Sequence, residues 1–473
     1  MRSLYLNGTW TESVSSAAID VVNPATEEVV DSVPAGDPAD GARAGDAARA
    51  AVPAWGAQAN PPRRAVLARA LELLRQRSTD IAAAIATDMG APLRFANGVQ
   101  TGFPLLMFQT FLDLLDTHHE RLFGGEPVGD SLVVREPFGV VGAITPWNYP
   151  LHQIVLKAVP AMAVGNTVVL KPTEVAPLAA YALTEALHDA GLPPGVFNLV
   201  SGTGPVVGEA VAAHPGVDMV SFTGSGRAGK RVAEVGAATV KKVALELGGK
   251  SPNVILPDAD LTAAVAAGVA DVMRNTGQSC NALTRMLVHR DHYAEAQRLA
   301  AEAASRFEPG DPFEEGVRMG PLVSRAQLDR VRDYIDTGVK EGARIVLGGS
   351  EPPAGRERGY YVRPTVFADV DNGMRIAREE IFGPVVALIP YDTEDEAVAI
   401  ANDTDYGLAA AVWSGDPDRA LRVARRLRAG QVQVNGARTQ PLLPFGGYKQ
   451  SGVGREWGLP GIEEFCEIKG IQR

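Results

Sequence analysis

Residues 219 to 235 read MVSFTGSGRAGKRVAEV, and the fold turns on how that stretch is read. MVSF is a short apolar run with the texture of a buried strand, Arg227 to Val235 reads as a helix, and a glycine-rich turn joins them. Gly224, Gly226 and Gly229 spell G-x-G-x-x-G, the dinucleotide fingerprint, with Glu246 about where its ribose-binding acid falls. Gly224 to Lys230 also spells G-x-x-x-x-G-K, a phosphate loop, but Arg231 stands where that loop needs a hydroxyl to hold magnesium. Phosphate binding by amides at a helix N-terminus survives in both readings, and ATP hydrolysis does not. A looser phosphate-loop match, ALELGGKS at 244–251, runs into Pro252 and the β-branched NVILP, so the helix such a loop requires is missing. A dinucleotide is favoured; a phosphate-loop enzyme is the alternative, and it predicts a helix after Ser251.

Outward from this turn, short apolar runs alternate with helices. VVGAI (140–144), a helix over 149–164, TVVL (167–170), a helix over 178–190 stopped by Gly191, VFNLV (196–200) and a helix over 206–213 lead up to MVSF. Such alternation predicts a parallel sheet covered by helices, with ligand at the carboxyl ends of the strands. A second alternating region, about 254–434, with helices over 261–273 and 294–307 and strands VVALI and QVQVN, predicts a second α/β unit. Before the first sheet come a hairpin around Asn7-Gly8 and helices over 38–51, 61–74 and 80–89. SLVVREP (131–137) and the tail EEFCEIKGIQR (463–473) read as two further strands that pair with each other or with another subunit.

Composition narrows the chemistry. With 473 residues the chain exceeds a single core, and 46% hydrophobic with 21% charged residues is ordinary for a globular protein. A net charge of −11 without a basic patch argues against nucleic acid as a partner. No apolar run long enough to span a bilayer and no apolar signal core is found, so the expected location is cytoplasmic. Two distant cysteines and seven scattered histidines supply neither a disulfide framework nor metal-ligand spacing.

Seven segments in order, TPWNYP (145–150), KPTE (171–174), FTGS (222–225), LELGGKSP (245–252), GQSC (277–280), EEIFGPV (379–385) and PFGGYKQSGVGRE (444–456), resemble the aldehyde dehydrogenase superfamily over nearly the whole chain. The resemblance implies a Rossmann-like cofactor domain (1–118 and 138–248), a second α/β catalytic domain (249–448), and a small β oligomerisation element (119–137 and 449–473). It implies NAD-dependent oxidation of an aldehyde to a carboxylic acid, by a homodimer or homotetramer.

Cys280 lies in the polar, Gly-containing NTGQSCNA, and the resemblance makes it the nucleophile. The resemblance places the Asn148 amide and the Cys280 backbone N–H as the donors that hold the oxyanion. Glu246, which period-two alternation alone would leave as a solvent-facing strand residue, becomes the general base that delivers water to the thioester. A base there argues against the acylating branch of the family. By the same resemblance Glu174, three residues after Lys171, takes the adenosine ribose and favours NAD over NADP. The resemblance gives Glu380 the nicotinamide ribose, with Phe382 beside the ring. Gly224, Gly229 and Ser225 serve the pyrophosphate, which makes Gly226 incidental. Thr145, Pro146, Trp147, Gly204, Leu247 and Gly248 line the cofactor groove, and Glu456 with Lys157 match positions given to proton relay. For the aldehyde, apolar residues from Phe103 to Leu114, Ser279 and Asn281, and Leu442, Leu443 and Phe445 are the expected walls.

Overall fold

In the computed structural model, which describes residues 1–473, the alternating runs form the parallel centre of an eight-stranded sheet. Its order is Gly452–Val453, Lys242–Glu246, Met219–Thr223, Val140–Ile144, Thr167–Lys171, Phe197–Leu199, Leu4–Leu6, Thr9–Thr11. The five central strands are parallel and both outer additions antiparallel. Chain order reverses beside Val140–Ile144, with the next strand on one side and Met219–Thr223 on the other. At such a switch point the loops following two neighbouring strands part and leave a crevice at their carboxyl ends. The loops there are TPWN and GS, which follow Ile144 and Thr223.

A seven-stranded sheet carries the second half. Its order is Arg344–Leu347, Thr365–Ala368, Val385–Tyr391, Arg285–His289, Pro252–Ile255, Ala409–Trp413, Gln431–Val434, parallel except for the first pair. Pro252–Ile255 is a strand, so no helix follows Ser251 and the phosphate-loop alternative loses its structural requirement.

The Asn7-Gly8 turn has both residues at positive φ, 49° and 81°, and pairs Leu6 with Thr9, as a two-residue hairpin demands. The N-terminal helices form as Pro38–Gly56, Asn60–Gln76 and Ser78–Asp88. Helix Leu261–Met273 starts where Asp260 accepts from the Ala263 N–H. The expected helix over 206–213 divides instead. Thr203 O accepts from the N–H groups of Val206, Val207 and Gly208, which widens the first turn before a short helix, Glu209–Ala213.

The tail also departs from expectation. Residues 463–465 close a helix, Gly458–Glu463, and only Cys466–Ile471 is strand, paired antiparallel along Ser131–Pro137 of the same chain. Asn166 Nδ2 donates to Phe465 O at 2.9 Å and pins the bend between them. Residues 452–453, placed with the bridging strands by the sequence, join the edge of the first sheet beside Leu245 and Glu246.

Helix Pro150–Ala163 is buried along its whole length. An all-round apolar helix belongs inside a core. This one also carries His152, Gln153 and Lys157, polar groups whose burial is costly unless something answers them.

Candidate active site

The loops at the strand ends of the two sheets line one crevice, with opposite strand polarity. The first presents the carboxyl ends of its strands, at Ile144, Lys171, Thr223 and Glu246. The second presents amino ends, because Gly248 and Gly249 precede Pro252, Cys280 precedes Arg285, and Glu380 precedes Val385.

One cavity of about 270 Å³ lies in the crevice, lined from the first sheet by Pro146, Trp147, Asn148, Thr223, Gly224 and Ser225. Glu246, Leu247 and Gly248 also line it, as do Cys280, Gln327, Arg330, Glu380 and Phe382 from the loops and a helix of the second α/β unit. Another, of about 280 Å³, includes Phe103, Tyr149, Leu156, Asn281, Phe445 and Trp457. Cys280 lines both. The thiol therefore stands between two chambers, one leading to the glycine-rich turn and the other to an aromatic pocket.

The loop that carries Cys280 is held by its backbone. Asn275, Thr276 and Gly277 follow one another at positive φ, 53°, 57° and 73°. Such strain persists only where surroundings over-determine it. Gln100 Nε2 donates to Asn275 Oδ1, Gln278 Nε2 to Asn275 O, and the Val323 N–H to Gln278 Oε1, all within 3.1 Å. A Cβ on Gly277 would collide with the backbone carbonyl of Gly383. Phe382 and Trp457, at φ 63° and 62°, are two more non-glycine residues in the left-handed region, each on a cavity wall.

Asn148 is buried. Its carbonyl accepts from Gln100 Nε2 and Asn275 Nδ2 at 2.9 Å, and its Nδ2 donates to Gln278 O at 3.2 Å. These bonds fix the amide over the Cys280 loop. Glu246 is also buried, against the solvent-facing alternative read from alternation, and neither carboxylate oxygen has a partner. Burial first, then the charge of Glu456, pushes its pKa well above the ordinary carboxylate value. Lys157 Nζ donates to Glu456 Oε1 at 2.5 Å, so the two acids and one base form a buried trio. The Cys280 thiol is pushed up too, by burial and then by Glu380, Glu246 and Glu456. It rests as the thiol and needs a base to take its proton.

Ser225 caps helix Gly226–Ala237 by accepting from the Ala228 N–H at 3.3 Å, and the helix opens at the cavity wall. Orphan amides and dipole there suit an anion. A Cβ on Gly224 would come within 2.6 Å of the Phe222 ring, and one on Gly229 within 2.6 Å of Leu247, whereas one on Gly226 would meet nothing within 4 Å. Glu380 accepts from the Gly249 N–H at 3.1 Å, and burial raises its pKa to about 7. Phe382 packs edge-on against Trp147, with ring centroids 5.3 Å apart. Lys171, Glu174, Thr145 and Gly204 lie outside the first cavity but along the same strand ends. Lys171 Nζ bonds Glu174 Oε2 at 2.6 Å, and Thr145 N–H bonds Lys171 O at 3.1 Å.

Gln327 and Arg330 carry no sequence motif, yet both line the cofactor-side cavity. From helix Arg325–Lys340, Gln327 Nε2 donates to Phe382 O at 2.8 Å and Arg330 to Glu380 O at 2.5 Å. On the other side, His152, Gln153 and Arg274 were likewise unforeseen. Three expected walls are corrected. Leu442 and Leu443 point outward, 59% and 58% exposed, because Phe445 stacks on Trp457 at 4.9 Å and fills that side. Ser279 is turned away into a 2.6 Å hydrogen bond with Tyr149. Of the run from Phe103 to Leu114, Phe103 alone lines the pocket; Phe108, Phe111 and Leu112 pack into the main core.

A cysteine between a crevice at a helix N-terminus and an aromatic-walled pocket, with a buried carboxylate at hand, is the layout of a dinucleotide-dependent oxidoreductase. The chain belongs to the aldehyde dehydrogenase family, whose model matches residues 10–471. It is 48% identical over 471 residues to a 3-succinoylsemialdehyde-pyridine dehydrogenase of a Pseudomonas species, covering 99% of this chain and 98% of that one. A putative aldehyde dehydrogenase of Staphylococcus epidermidis is 46% identical over 467 residues, with the same shares covered. Among solved structures, a cysteine-to-alanine mutant of aldehyde dehydrogenase C from Pseudomonas syringae, complexed with NAD+ and octanal, matches with TM-score 0.97 and 51% identity, covering 99% of this chain and 96% of that one. An indole-3-acetaldehyde dehydrogenase complexed with NAD+ matches with TM-score 0.95 and 38% identity, with the same coverage.

Proposed function

We propose that this chain oxidises an aldehyde to a carboxylic acid with NAD and water, Cys280 being the nucleophile, Asn148 the oxyanion donor and Glu246 the base. The observation that carries the reading is the single thiol shared by the two cavities. An aldehyde entering from the aromatic side meets Cys280 on the face opposite the cofactor crevice.

The residues present fit the cofactor. The capped N-terminus at Ser225 offers amides to a pyrophosphate, and a Cβ at Gly248 would strike the Glu380 carboxylate, so the ribose position of Glu380 needs a glycine opposite. Lys171 and Glu174 would hold the adenosine ribose, Thr145, Pro146, Trp147, Gly204, Leu247 and Phe382 the rest of the groove. When bound, NAD supplies a two-electron acceptor for hydride.

The protein's own steps follow from its geometry. Glu246, made more basic by burial, removes the Cys280 proton. The thiolate adds to the carbonyl carbon, and the Asn148 Nδ2–H and the Cys280 N–H stabilise the oxyanion, where one such donor contributes roughly 3–4 kcal/mol. After loss of hydride a thioester remains on Cys280. Glu246 then takes a proton from water, which attacks the thioester and frees the acid. Glu456 and Lys157 lie behind Glu246 as the route by which its proton leaves.

This reading includes the domain division 1–118 with 138–248, 249–448, and 119–137 with 449–473. It also includes a cytoplasmic location and assembly as a dimer or tetramer through the three-stranded sheet. No helix is long and apolar enough to cross a membrane. In rapid mixing, Glu246→Gln is expected to slow both the first NADH-forming turnover, for want of a base to take the Cys280 proton, and the steady state, for want of one to activate water. Steady turnover at the parent rate would remove Glu246 from the base role.

A further inference from the structure

The aldehyde-side cavity has apolar walls in Val99, Phe103, Leu156, Phe445 and Trp457. A plain alkanal would ask nothing more of it. Yet helix Pro150–Ala163 turns His152 and Gln153 toward the same cavity, 7% and 5% exposed. Neither is satisfied by the protein, since His152 Nδ1 and Gln153 Oε1 are enclosed without a hydrogen-bond partner. The opposite ends, His152 Nε2 and Gln153 Nε2, are not enclosed and also make no hydrogen bond within the protein, which leaves them to whatever occupies the cavity beside the thiol.

The pattern also gives the polarity of that ligand. With Nδ1 shut in, a neutral ring is best placed with its proton on Nε2, because an enclosed bare acceptor is tolerated better than an enclosed N–H. The ring is neutral, for burial and then Lys157 lower its pKa to about 3. An enclosed Oε1 likewise leaves the Gln153 amide N–H groups as its free end. Both side chains thus offer donors. Charge is not wanted: Arg274, the one Lys or Arg lining the cavity, faces Asp271 at 3.7 Å, and three carboxylates bear on Cys280.

We propose that the preferred substrate is an aldehyde with an uncharged hydrogen-bond acceptor, such as a ketone oxygen or a pyridine-type nitrogen, which His152 and Gln153 receive by donating to it. This rests on Cys280 being the nucleophile for aldehydes. The acceptor adds selectivity because an isosteric aldehyde without it leaves both donors unpaired.

The test compares kcat/KM with NAD for pentanal, 4-oxopentanal and 4-oxobutanoate, and for 3-phenylpropanal and 3-(pyridin-3-yl)propanal. Expected is at least a tenfold preference for a neutral acceptor over its hydrocarbon counterpart, falling toward unity in His152→Leu and in Gln153→Met. Parent enzyme that prefers the hydrocarbons, treats the pairs equally or favours the carboxylate would overturn the proposal. So would variants that slow both members of a pair alike. Failure of every aldehyde to yield NADH would instead strike the reading of the reaction itself.

Discussion

Glu246 shows how one residue changes meaning with its surroundings. In sequence it could be a ribose ligand, a surface residue or a base; in the fold it ends a buried strand with both oxygens unpaired and Glu456 nearby. Only the ionised form takes a proton, so turnover rises with pH as Glu246 loses its own. Its raised pKa puts that limb above the range of an ordinary carboxylate. Glu456→Gln removes a like charge and frees Lys157, and both changes favour ionised Glu246. The limb in kcat against pH is expected to move to lower pH; an unmoved or higher limb would show that the trio does not set it. That Cys280 and Asn148 line the cavity was legible because they lie within local motifs. His152, Gln153, Gln327 and Arg330 were not, because nothing near them in sequence tells which cavity their helix faces.

At the scale of elements, the strained loop before Cys280 and the glycine turn before helix Gly226–Ala237 make opposite predictions. Gly277→Ala forces a side chain into the left-handed region, about 1–2 kcal/mol by itself, and onto the Gly383 carbonyl. A lower melting temperature and a loss of activity greater than tenfold are expected, and parent-like values would mean that the loop can relax. Gly226→Ala should leave NAD affinity within twofold, since the added carbon meets nothing within 4 Å. A large loss would restore the full dinucleotide fingerprint that the geometry has reduced to Gly224 and Gly229. The fingerprint marked a turn that lines the cavity, but it counts Gly226 alongside the close-packed Gly224 and Gly229, because spacing records residues and not what each Cα approaches.

For the whole molecule, the cofactor crevice is the seam between two sheets. NAD binding should therefore stabilise the fold, by about 2.7 kcal/mol at a hundredfold excess over Kd. Differential scanning fluorimetry should show a rise in Tm with NAD, and a smaller rise with NADP at equal concentration because the Glu174 carboxylate repels a 2′-phosphate. An equal or larger effect of NADP would remove that role from Glu174. Hydrophobic alternation by itself determined two α/β sheets, since that depends on local pattern, and the family's motifs singled out the glycine turn and Cys280 as candidates. Tertiary structure alone decided that Glu246 is buried beside Glu456, that Leu442 and Leu443 face outward, and that His152 and Gln153 stand unpaired in the aldehyde cavity. Burial and partnership are set by segments a hundred or more residues apart, and only packing brings those together.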